Sequence, residues 1–171
     1  MIYLSFNQIS AFITKKIAFL GLFCALATIL GYIEALIPLP IGIPGVKIGL
    51  ANLSVLYLLQ KYSWREAAFV SLIRILIIGF LFGSLFGILY SLCGAAFSLL
   101  VMTLLSAKKH MHLPVISIAG GIAHNAAQLA VAIWLTRSIY LLSYAPLLLL
   151  SGIAAGALIG FLTAEVSARI R

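Results

Sequence analysis

The chain reads as an all-α integral membrane protein of six transmembrane helices with N and C termini cytoplasmic, forming one transmembrane domain over 1–171. Composition gives the class. Hydrophobic residues make up 64% and charged residues 8% of the chain, against roughly 45–50% and 25% in soluble domains. That leaves too little polar surface for water on every side. The length gives the helix number, because apolar segments of about 20 residues each fill 171 residues with around six spans and no further soluble domain. The third observation is charge placement. With a cytoplasmic N-terminus, one side receives Lys15, Lys16, Lys61, Arg65, Lys108, Lys109, Arg169 and Arg171, and the other only Lys47 and Arg137. This positive-inside bias over short loops arises only for an even number of helices.

The elements follow from where turn and polar residues break the apolar runs. The stretch ending in Lys15-Lys16 before an apolar segment looks like a signal peptide, but the segment is longer than an h-region and lacks a clean small-residue cleavage site. It is read as a retained first helix, 17–37, stopped by Pro38 and Pro40. An irregular loop, Pro38 to Val46, carries three prolines and two glycines. Helix two is expected over 47–60, short for a span at about 1.5 Å per residue. Between Ala67 and Ser106 the only charged side chain is Arg74. That run is too long for one crossing and breaks at Gly79, Gly83, Ser84 and Gly87, giving helices at 65–82 and 85–106. The last two helices are expected over 114–136 and 140–168.

Function has to be argued from the polar residues inside this apolar chain. A charge in hydrocarbon costs at least about 2.5–3.5 kcal/mol at the helix centre, so Arg74 marks a wet cavity or a bundle interior. By helical rise, Arg74 and His124 lie near the midplane, with Asn125 beside His124 and Gln128 one turn further out on the same face. Glu34, Asn52 and Tyr90 fall between the midplane and the outer end of their helices, and Lys47 lies at the outer edge. This is the polarity of a cavity opening outward beneath the proline-rich loop. The substrate-binding candidates are therefore Glu34, Lys47, Asn52, Arg74, Tyr90, His124, Asn125 and Gln128. Structural alternatives stand beside them. Glu34 and Arg74 could form an ion pair, His124, Asn125 and Gln128 could make interhelical hydrogen bonds, and Lys47 could be an interfacial anchor.

Small residues supply a further pattern. Gly152, Gly156 and Gly160 recur every four residues on helix six, as do Gly21 and Ala25 on helix one, and such faces allow close backbone approach in lipid. The plain reading of both faces is contact within the bundle. The sharper reading is a docking face for another membrane protein, and Gly21 and Ala25 on helix one are the preferred candidate for it. Cys24 and Cys93 lie in apolar runs without the spacing of a disulfide or metal site and read as packing residues.

The chain has no aspartate, and its acids are Glu34, Glu66 and Glu165. Magnesium-dependent diphosphate chemistry draws on clustered carboxylates. No Gly-rich phosphate loop of the Lys-Ser/Thr type is present either. No catalytic residue, metal site or cofactor is assigned. Uphill transport would need energy from another subunit or an ion gradient. The net charge of +8 is explained by orientation and anionic lipid, with no nucleic acid required.

The stretch from Gly31 to Asn52, containing Pro-Gly-Val-Lys-Ile-Gly-Leu-Ala-Asn, together with Ser71-Leu-Ile-Arg74, Tyr90-Ser-Leu-Cys-Gly94 and Gly121-Ile-Ala-His-Asn-Ala-Ala-Gln128, resembles the bacterial family labelled heptaprenyl diphosphate synthase component I. That family is also called the Gx transporter family. It is in turn similar to the S components of energy-coupling factor transporters. The resemblance implies a six-helix S-component-like bundle in the bacterial plasma membrane, with a loop after helix one over an outward site. It also implies that small residues on helix one, here Gly21 and Ala25, dock a transmembrane coupling subunit that works with ATPases. The expected function is a substrate-binding subunit for uptake of a vitamin-like or isoprenoid-related solute with one acidic end. The alternative is a non-catalytic membrane subunit associated with a separate prenyl synthase.

Overall fold

A computed structural model describes residues 6–36, 49–108 and 111–169, with side chains from residue 13 onward in the first stretch. Among them the chain is helical, in the order α1 (Phe6–Leu36), α2 (Ala51–Lys61), α3 (Trp64–Phe82), α4 (Leu85–Ser106), α5 (Leu113–Thr136), a 3-10 turn (Ile139–Tyr144) and α6 (Ala145–Arg169). The proline-rich loop and Lys47 lie outside the described residues.

Three boundaries differ from the sequence reading. α2 begins at Ala51, not at Lys47, because Gly49 takes a left-handed φ and Leu50 lies in the turn that follows it. α1 begins at Phe6, not at Ile17, so Lys15 and Lys16 lie within the helix and not before it. Lysine is a good helix former and its long stem lets the ammonium reach polar surroundings, so the pair interrupts the apolar pattern without breaking the helix. Lys16 also has a fixed partner, pairing with Glu66 at the start of α3. The sixth helix starts at Ala145, not at Tyr140, because residues 139–144 tighten into the 3-10 turn and Pro146 then occupies the first turn of α6. Proline is at home there, where its missing N–H has no helical partner to lose.

The other ends have local causes. Ser63 caps α3 by accepting from the Arg65 N–H, and its hydroxyl donates to Glu66. This Ser-x-x-Glu arrangement is a variant of the capping box. Ser84 accepts from the Gly87 N–H at 3.1 Å and starts α4, so the Gly83-Ser84 break is a true helix boundary. Before α2, Gly49 takes φ +80°, a left-handed conformation open to glycine at little cost.

Four helical segments are long and apolar enough to cross a membrane: Ile13–Leu36, Leu85–Ser106, Leu113–Thr136 and Ile139–Arg169. The chain is a multi-pass membrane protein. α3 is 19 residues long and carries Arg65, Glu66 and Arg74, while α2 has only 11 residues. The shortness of α2 matches its place. Ala51, Ser54, Val55, Leu56, Tyr57, Leu58 and Leu59 are all buried, with α1, α3 and α6 packed around it. The apolar core is built on it, joining Val55, Leu56, Leu58 and Leu59 to Ala27, Ala67, Val70, Met102, Ile116 and Ile159. Cys24 packs against this core and both cysteines are free thiols.

The helices form two groups of three. α1, α2 and α3 pack on one another, as do α4 with α5 and α5 with α6. The groups meet where α3 packs on α4 and α2 on α6. Among the described residues, α5 and α6 bring backbone closest to the backbone of another helix. A Cβ built on Gly121 would lie 2.3 Å from the Gly152 carbonyl oxygen, one on Gly156 would lie 2.7 Å from Ile118 Cα, and one on Gly160 would lie 2.5 Å from Pro114 Cα. The glycine series of α6 is thus consumed inside the bundle. Gly21 of α1 is the opposite case, with nothing within 4 Å of an added Cβ, and Ala25 is exposed one turn on. Large apolar side chains such as Leu22, Phe80, Phe86, Trp134 and Phe161 also point outward, which suits contact with lipid.

Candidate functional site

A cavity of ≈ 210 Å³ lies between the two groups of helices. It takes Glu34 from α1, Asn52 and Leu56 from α2, Arg74, Ile78 and Phe82 from α3, Ser91 from α4, and His124, Asn125 and Gln128 from α5. Six of the eight residues selected from the sequence therefore line one space. Lys47 is outside the described residues. Tyr90 is half-buried but is not among the lining residues, and its neighbour Ser91 is. The expected depth of Tyr90 was reasonable, but a helix advances about 100° per residue, so one position decides which way a side chain faces. The cavity also continues past the polar cluster, toward the C-terminal half of α4 and the start of α5, to Ser98, Met102, Ser117 and Ile159, beyond the residues expected from the sequence.

Arg74 stands about 15 Å along α3 from Trp64 and about 12 Å from Phe82, at roughly 1.5 Å per residue. Its Nη2 donates to Asn52 Oδ1 at a long 3.5 Å. Its Nε is buried with no hydrogen-bond partner. No ion pair to Arg74 forms within 4.0 Å among the described residues, Glu34 included. Glu34 instead accepts the Gly49 backbone N–H, tying the end of α1 to the residue that leads into α2. The two opposite charges thus share a cavity without pairing. A guanidinium carries five N–H donors and no acceptor, so this one retains capacity for an oxyanion.

On the facing side, the three polar residues of α5 behave differently. Asn125 Nδ2 donates to the Leu148 carbonyl at 2.6 Å and to Ser151 Oγ at 3.0 Å, an interhelical tie from α5 to α6. That is the hydrogen-bonding alternative raised for it from the sequence, and it coexists with a place on the cavity wall. Gln128 is 3% exposed and its Oε1 has no partner. His124 lies against α4 at Gly94. A Cβ on Gly94 would come within 2.9 Å of His124 Cε1 and Nε2 and of Gln128 Cγ, so glycine at 94 sets how far both side chains stand from α4. Gly94 was part of a quoted sequence motif, yet its role was not visible there, because the absence of a side chain says nothing about what fills the space.

The family description heptaprenyl diphosphate synthase component I matches residues 23–166. The chain belongs to that family. No curated protein and no solved structure matches it. The stretch that places the chain in the heptaprenyl diphosphate synthase component I family contains every residue lining the cavity, from Glu34 to Ile159. It includes Ala25 and begins just after Gly21. The lining of this component I cavity supplies one carboxylate, that of Glu34. Among the described residues no three His, Cys, Asp or Glu side chains converge. A magnesium–diphosphate site draws on several oxygen ligands, and the described residues bring only the Glu34 carboxylate to the cavity.

Proposed function

We propose that this chain is the membrane-embedded solute-binding subunit of a small-molecule uptake system, similar to the S components of energy-coupling factor transporters. In this reading six helices span the bacterial plasma membrane, both termini are cytoplasmic, and the cavity receives its solute from outside. A partner membrane subunit working with ATPases supplies the energy, and the chain itself is not an enzyme. Glu34, Lys47, Asn52, Arg74, Tyr90, His124, Asn125 and Gln128 are the residues proposed to meet the solute. The observation that carries the reading is Arg74, a cation inside an apolar bundle that lines a cavity, makes no ion pair within 4.0 Å among the described residues and keeps a buried Nε unsatisfied. A residue of this kind in a membrane interior is a functional candidate, and an anionic group on a solute would complete its hydrogen bonding.

The family description favours a second reading, a non-catalytic component associated with a prenyl diphosphate synthase. The cavity weighs against a long prenyl chain lying wholly inside it. At ≈ 210 Å³ it falls below the roughly 300–1,000 Å³ of pockets for drug-sized molecules. It suits a small solute.

Two experiments test the proposal. Single cysteines at Ser138 and Ser106 probe orientation, with Ser138→Cys expected to react with an impermeant thiol reagent from outside and Ser106→Cys expected to be protected. The opposite labelling would overturn the outward cavity. For the partner, Ala25→Trp places a bulky side chain on the open face of α1 formed by Gly21 and Ala25. It should abolish co-purification with an energising membrane subunit while leaving the isolated chain's thermal unfolding unchanged. Co-purification with a soluble prenyl synthase that is indifferent to Ala25→Trp would establish the second reading instead.

A further inference from the structure

The cavity holds more than a cation. Glu34 and Arg74 both line it, yet they do not pair within 4.0 Å. Opposite charges in a weakly polar interior attract one another, so a pair that stops short of contact needs each member to be held by another group. Each is held here. Glu34 is fixed by the Gly49 N–H, and Arg74 reaches Asn52. Two buried polar atoms on the same walls complete the pattern. Arg74 Nε is a donor without an acceptor, and Gln128 Oε1, on a side chain 3% exposed, is an acceptor without a donor. Buried polar groups are nearly always satisfied in folded proteins, so an orphaned donor and an orphaned acceptor in one cavity describe the complement they lack.

Resting on the reading of this cavity as a solute site, we propose that the solute is a small zwitterion, a molecule of about amino-acid size carrying both an oxyanion and a protonated nitrogen. The oxyanion meets the Arg74 guanidinium, whose Nε has no acceptor. The protonated nitrogen answers the Glu34 carboxylate, and Gln128 Oε1 accepts a further N–H or O–H. A purely anionic solute leaves Glu34 facing the cavity as a like charge, which disfavours it. A purely cationic one leaves Arg74 unmatched. The volume of ≈ 210 Å³ admits such a molecule without a large ring system.

The test uses the full chain in lipid nanodiscs and follows its thermal unfolding with β-alanine, γ-aminobutyrate, ε-aminohexanoate, butanoate and butylammonium as probes. At least one amino acid is expected to raise the midpoint, while butanoate and butylammonium need at least about tenfold higher concentration for the same shift, the size of one charge-assisted contact. Glu34→Gln keeps an acceptor oxygen for Gly49 and should erase the preference for the amino acid over butanoate while retaining the butanoate response. Arg74→Gln should remove the responses to both. Equal responses to butanoate and the amino acids in the unaltered chain would overturn the zwitterion, as would a preference that survives Glu34→Gln. Mass spectrometry of the small molecule carried from the membrane separates the two levels. An acidic molecule without basic nitrogen overturns the zwitterion and leaves the solute-binding role standing. No bound molecule and no response to any probe overturns both.

Discussion

Gly121→Ala is expected to cost more stability than the same change at any other described glycine. The new methyl would sit 2.3 Å from the Gly152 carbonyl oxygen and 3.1 Å from its carbon. A side chain there could swing aside, but these atoms are backbone, so α5 and α6 must separate to admit it. Overpacking of this kind costs about 1–3 kcal/mol, and more where nothing flexible can yield. Separation also stretches the Asn125 bonds to Leu148 and Ser151 that tie the same two helices. Gly21→Ala is the matched control. Its methyl meets nothing within 4 Å, and alanine is the better helix former by up to about 1 kcal/mol, so this variant should be as stable as the parent or slightly more. Thermal unfolding of both variants in the same detergent decides the matter. Equal midpoints for Gly121→Ala and the parent would mean that α5 and α6 do not approach this closely.

Arg74→Gln is expected to abolish ligand-dependent stabilisation while leaving the empty protein close to its original stability. Two physical accounts of Arg74 diverge here. If it served as one half of a structural ion pair, removing it would strand a buried carboxylate and cost about 3–5 kcal/mol. No such pair forms within 4.0 Å, and Arg74 contributes only the long bond to Asn52 while its Nε goes unsatisfied. Glutamine removes the charge and retains an amide that can still hydrogen-bond. In the parent, a solute at about one hundred times its Kd adds roughly 2.7 kcal/mol to unfolding. That increment should vanish in the variant. A large loss of stability in the absence of any solute would return Arg74 to a scaffolding role.

Much of this arrangement was legible in the chain because a bilayer restricts what an apolar helix can hold. Breaks at Gly83-Ser84 and Pro114 were readable as boundaries, and α3, α4 and α5 begin and end within a residue of the expected positions. The start of α1 was not readable, since Lys15-Lys16 marks an interface in hydropathy while leaving helical geometry undisturbed. The 3-10 turn before α6 was equally hidden, because residues 139–144 are as apolar as the helix they precede. For the cavity, residue number converts into depth through a constant helical rise, so Glu34, Asn52, Arg74, His124, Asn125 and Gln128 could be grouped before their contacts were known. Facing direction is harder to read. Tyr90 is amphipathic and suits a lipid-facing or a cavity-facing position equally, and only the packing of α4 turns Ser91 inward instead. Contacts made by missing atoms, such as Gly94 against His124, leave no trace in composition at all.

The division into two triplets of helices has a mechanical meaning. Glu34, Asn52 and Arg74 belong to the α1–α2–α3 half, and His124, Asn125 and Gln128 to the α4–α5–α6 half. Neither half alone walls the cavity. A molecule held by Arg74 on one side and Gln128 on the other, as proposed, would work as a cross-link, so that occupancy and cohesion would become one variable. A partner that pries the halves apart would dismantle the surface by distance alone, discharging the cargo without unfolding a helix.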